Sequence, residues 1–156
     1  MLRELLENTT RFERVANKIP EPLISTRSAR DEWSIKENLA HLADIQNLCV
    51  GRIKKILSED NPPIEIYDDE RENRQRDHSN EDMSSLREAF LSIRSNLVLG
   101  MKELPDSDWL RTGRHPEREN FTIEFILNDM LDHERKHFEK IDQIANRIPD
   151  LNSAQD

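Results

Sequence analysis

Asn128-Asp-Met-Leu-Asp-His-Glu-Arg-Lys-His-Phe-Glu-Lys140 decides how the rest of the chain is read. It lies in a long run with apolar residues at helical spacing, and His133 and His137 stand four residues apart within it. On a helix both imidazoles leave one face a turn apart, the spacing at which a helix grips one metal ion. His133-Glu-Arg-Lys-His137 also satisfies H-E-x-x-H, in which two histidines bind zinc and the glutamate is the general base of a hydrolase. That reading makes Glu134 a candidate catalytic residue. The metzincin form of the motif continues to a third ligand, but Lys140 and Gln143 occupy the positions it needs. A third ligand must come from upstream, where His41, His78 and His115 are the candidates.

The apolar pattern around this stretch predicts a helix capped at Thr122 and running to about Arg147, with Ile126, Met130, His133, His137, Ile141 and Ile144 facing inward. Three more helices precede it. The first covers residues 2–19 and is ended by Pro20 and Pro22. The second runs from about Ile35 to Leu57, where Ser34 and Glu37 form an S-x-x-E capping box. Its inward face holds Asn38, His41, Ile45 and Leu48. The third is capped by Ser79 or Asn80 and carries Met83, Leu86, Phe90, Ile93, Leu97 and Met101 up to Pro105. Residues 58–79 and 106–119 read as long loops, with His78 a solvated loop residue and His115 on the surface. Four amphipathic helices without an alternating strand pattern predict an all-α four-helix bundle with long connections. Residues 1–156 read as a single domain with a frayed tail at 152–156.

Composition narrows the function. A net charge of −9 and a pI near 5.1 leave no basic stripe for a phosphate backbone, so nucleic acid is not expected as a partner. There is no membrane-spanning run and no signal-peptide pattern, so the expected location is cytoplasmic. The single Cys49 lies among Ile45, Leu48 and Ile53 and reads as a buried small hydrophobe.

A bundle brings inward side chains of facing helices together, which favours His41 as the partner of His133 and His137 over the two loop histidines. Three neutral imidazoles leave an open coordination position, as in a catalytic zinc site. Trp33, just before the cap, and Met130 could line a substrate pocket. Asp44 or Asp129 could orient a ligand.

The segments Trp33-Ser-Ile-Lys-Glu-Asn-Leu-Ala-His-Leu-Ala-Asp44, Phe121-Thr-Ile-Glu-Phe-Ile-Leu127 and His133-x-x-x-His137 together resemble the DinB/YfiT-like family of metal-dependent enzymes. The resemblance implies an up-up-down-down bundle, often a homodimer, with a three-histidine divalent metal site falling on His41, His133 and His137. It also implies a metal-activated water or low-molecular-weight thiol attacking a small-molecule substrate, as a hydrolase or thiol transferase. Zn2+ ranks first, with Ni2+, Mn2+ and Fe2+ open, since imidazoles alone do not choose. The rivals are the H-E-x-x-H hydrolase with Glu134 as base and a metal-free dimerising helical interaction module; within the resemblance, Glu134, adjacent to His133, need not face the metal and reads as solvated.

Overall fold

Ser34 starts the second long helix as its capping box predicts: its side chain accepts from the Glu37 backbone N–H, and the Glu37 carboxylate accepts from the Ser34 N–H. In the computed structural model, which describes residues 1–75 and 77–148, the four long helices are α1 (Leu2–Lys18), α2 (Ile35–Ser58), α4 (Met83–Glu103) and α6 (Ile123–Arg147). The tail expected to fray, 152–156, lies outside the described residues. A 3-10 turn at Leu23–Ser25 interrupts the first connection. The short helices α3 (Asp69–Gln75) and α5 (Asp106–Trp109) lie in the two long ones. Thr122 caps α6 by accepting from the Phe125 N–H. The cap of α4 is Asp82, which accepts from the Ser85 N–H, and not Ser79 or Asn80.

Cross-helix contacts fix the directions. Glu4 pairs with Arg135 at 2.7 Å and Arg11 with Asp142, so α1 and α6 run parallel. Leu5 meets Arg94 at 3.2 Å and Asn17 meets Arg87, so α1 and α4 are antiparallel. Asn38 faces His137 and His41 faces His133, so α2 opposes α6. The order is therefore up-down-down-up, which corrects the up-up-down-down order implied by the resemblance. Parallel α2 and α4 need a connection that returns along the bundle, and residues 59–82 supply it.

A second correction concerns strands. Residues expected as a plain loop form an antiparallel hairpin, β1 (Thr112–His115) with β2 (Arg118–Thr122), pairing Thr112 with Thr122 and Gly113 with Phe121. The hairpin also seizes the start of the crossover: the Ile64 N–H donates to the Arg114 carbonyl at 2.9 Å, and the Arg114 N–H to the Pro62 carbonyl at 2.8 Å. Gly113 is required there, because a Cβ would stand 2.6 Å from Ile64 Cγ1.

The core divides into two apolar clusters. One gathers Leu5, Cys49, Ile53, Ile56, Leu97, Met101, Ile123 and Leu127, with Cys49 a buried hydrophobe whose thiol burial pushes up to about 12. The other gathers Phe12, Ile35, Leu39, Phe90, Phe138 and Ile141. In sequence, Asn8, Arg94 and Glu134 each lie between their helix's contributions to the two clusters, and Gln46 of α2, one residue past Ile45 of the first cluster, accepts from Arg94. The bundle thus has a polar layer at mid-height.

Candidate metal centre

His41 comes from the second turn of α2 and His133 and His137 from the middle of α6, where antiparallel packing brings the three rings together. Their nitrogens form a group in which one ligand atom from each lies within 4.8 Å of the others. Nε2 of His41 and Nε2 of His133 are 2.9 Å apart, and the ring centroids lie 4.7–5.1 Å from one another. Among the described residues this is the group of histidine, cysteine and acidic side chains close enough to hold one ion.

The rings are held in the form a metal needs. Burial pushes His41 down to about 4 and His137 down to about 3, each helped by the neighbouring imidazoles. His133 is also lowered by burial, against a pull upward from the Asp69 and Asp129 carboxylates. All three are therefore neutral at pH 7, with lone pairs available. The buried Asn38 amide oxygen sits 2.8 Å from His137 Nδ1, so that nitrogen carries the proton and Nε2 is left as the donor atom. Asn38 is itself fixed by donating to the Ser34 carbonyl at 2.9 Å, tying the histidine to the helix cap. Two nitrogens bound tetrahedrally at zinc distances stand about 3.3 Å apart. The 2.9 Å between His41 and His133 needs a slight opening and the wider spacing in the group, up to 4.8 Å, a closing of the rings; with that adjustment the donor set fits a divalent cation.

The rings open into a cavity of about 550 Å3, also lined by Trp33, Asp69, Lys140 and Arg147. Trp33 stands edge-on to His41, with centroids 5.2 Å apart, and stacks on His137 at 6.1 Å. Met130 does not line this space. It is buried in the core and faces a smaller cavity of about 130 Å3 that also touches His133. Asp44 pairs with His78 at 3.3 Å, and exposed Asp129 lies 3.8 Å from Arg118. The partner found at a ligand ring nitrogen is thus Asn38, where Asp44 or Asp129 was expected. It was legible as an inward polar residue one turn before His41, but its role was not.

Glu134 is neither solvated nor at the cavity. It is 1% exposed and ion-paired with Arg94, itself 1% exposed, and its other oxygen accepts from Asn8 Nδ2 at 2.8 Å. Adjacent helix residues point about 100° apart, so His133 and Glu134 serve different faces of α6. One of the two loop histidines also differs from expectation. His78 is buried, between Asp44 and Glu81 at 3.3 and 3.5 Å. His115 stands on β1 beside Phe121, with centroids 4.8 Å apart.

The DinB superfamily profile matches residues 4–141. YfiT of Bacillus subtilis is 25% identical over 117 residues, which make up 74% of this chain and 66% of YfiT, just under two thirds of its length. YuaE of the same organism is 23% identical over 137 residues, 80% of this chain and 85% of YuaE. A solved structure of Bacillus subtilis YfiT, described as a probable metal-dependent hydrolase with an unusual four-helix bundle topology, matches with a TM-score of 0.81 at 22% identity. The match covers 94% of this chain and 85% of that one. With the family profile spanning most of its length, this chain belongs to the DinB superfamily.

Proposed function

We propose that the protein is a metal-dependent enzyme in which His41, His133 and His137 hold one divalent cation, Zn2+ in the first instance, and that the cavity beside them receives a small-molecule substrate. The observation that carries this reading is the convergence of three neutral imidazoles on one point, with Nδ1 of His137 engaged by Asn38. A divalent cation at such a site lowers the pKa of a water or thiol it binds and so supplies a nucleophile at neutral pH. The chain's own residues do the rest. Asn38 fixes the tautomer of His137, Trp33 packs against two of the rings, and Lys140 places a positive charge on the cavity wall, where Arg147 is paired with Glu32.

The name of the YfiT relative favours hydrolysis, with water as nucleophile. A cavity of about 550 Å3 also has room for a low-molecular-weight thiol, so thiol transfer stands as the second reading. A cytoplasmic homodimer, each copy a single domain, completes the proposal and is checked by light scattering. None of the described helices is long and apolar enough to cross a membrane.

The test is metal content of untagged protein by inductively coupled plasma mass spectrometry, beside His133→Ala. About one metal per chain, lost in the variant, is the expected result. If no metal is taken up even after incubation with Zn2+, Ni2+ and Mn2+, the enzyme reading fails, and a metal-free interaction module becomes the better account.

A further inference from the structure

Two side-chain atoms among the described residues are buried without a hydrogen-bond partner, His41 Nδ1 and Asp69 Oδ1. Both belong to residues that line the large cavity beside the imidazoles. A shielded carboxylate oxygen with no donor is costly, and native structures keep such atoms where a ligand or water completes them. Asp69 also lines the smaller cavity that holds Arg52, Arg118 and Asp129. Among the described residues the two cavities share only Asp69 and His133, which stand at the partition between them. Asp69 opens α3, on the crossover connection, so this carboxylate reaches the site from outside the four-helix frame that supplies the histidines. Its negative charge is felt at both His41 and His133.

Resting on the metal-site reading above, we infer that Asp69 is the hydrogen-bond acceptor of this centre: its Oδ1 receives the O–H or S–H of the water or thiol entering beside His41 and His133. As the proton moves, the O–H or S–H bond breaks, a bond to Oδ1 forms, and the electron pair stays on oxygen or sulfur as the nucleophile. Asp69 is not one of the three clustered ligands, which suits a group that acts on what the site binds. It fills the role of base that the buried, ion-paired Glu134 cannot.

Co2+ serves as the probe, with affinity measured by chelator competition and the visible absorption of the loaded protein followed against pH. Wild type and Asp69→Asn are expected to bind one Co2+ each, the variant about 10- to 100-fold more weakly. The pH midpoint of the absorption change should move upward in Asp69→Asn, because the acceptor that draws the proton is gone. Asp69→Glu keeps the carboxylate and should recover part of both. Equal affinity and an equal midpoint in wild type and Asp69→Asn would overturn the role of Asp69 and leave the metal site standing. Complete loss of Co2+ from Asp69→Asn, with an unchanged circular dichroism spectrum, would make Asp69 a ligand and overturn the acceptor role. Failure of wild type to bind Co2+, Zn2+ or Ni2+ would remove the metal-site reading and this inference together.

Discussion

Helix α6 carries two polar constellations on neighbouring residues, and they are built on opposite terms. Around Glu134 every strong group has a partner. Arg94 pairs with Glu134, donates from Nε to Gln46 Oε1 at 2.6 Å and from Nη1 to the Leu5 carbonyl, and lies over the Phe90 ring; Gln46 in turn donates to the Phe90 carbonyl at 3.1 Å. Around His133 three imidazoles face one another with lone pairs to spare, and two buried polar atoms nearby have no partner. A saturated network has nothing left to bind and serves the fold; an unsaturated one is a site. H-E-x-x-H as a string of letters cannot distinguish the two, because it ignores which way each residue points.

The comparison is broken or sharpened most directly by metal stoichiometry. His133→Ala should abolish it, whereas Glu134→Gln should retain about one metal per chain; the reverse pattern in mass spectrometry would restore Glu134 to the site. Stability should respond the other way. In Glu134→Gln the buried Arg94 loses its counter-charge, and urea unfolding of the metal-free protein should register a loss of about 3–5 kcal/mol. His133→Ala, at the cavity wall, should cost clearly less by the same measurement. A milder effect is expected from Asn38→Ala, which frees the His137 ring: about 10- to 100-fold weaker metal binding by calorimetry, with stoichiometry unchanged.

A further effect is in pH. His41 and His137 are held below the ordinary 6.5, at about 4 and about 3, so the unfolded chain takes up protons first as pH falls. Metal-free protein should therefore lose stability progressively as pH drops from about 6.5 toward 4, and gain nothing from these groups above it. A flat urea midpoint across that window would mean that the rings are not buried neutral.

What could be read from the chain follows from which signals are local. The capping box at Ser34 and the apolar spacing of α6 are set by neighbours in sequence, and so the helices and the histidine cluster were legible. The hairpin was not, since Thr112–His115 and Arg118–Thr122 bury only Gly113 and Phe121 and show no alternation. It is held instead by contact with Pro62 and Ile64, about fifty residues upstream. His78 is buried through Asp44 on α2, and Glu134 through Arg94 on α4; neither partner leaves a mark beside the residue it buries. Asp69 lies in a segment too sparse in apolar residues to suggest a buried group, yet its value to the site rests on one oxygen atom.

His41 and His133 are 92 positions apart, and Asn38 and His137 are 99. No short piece of the chain contains the centre, and a loop spanning most of the molecule must close before it exists. Metal capture thus reports on one long-range docking step of folding: the colour of bound Co2+ should emerge only once α6 has settled against α2.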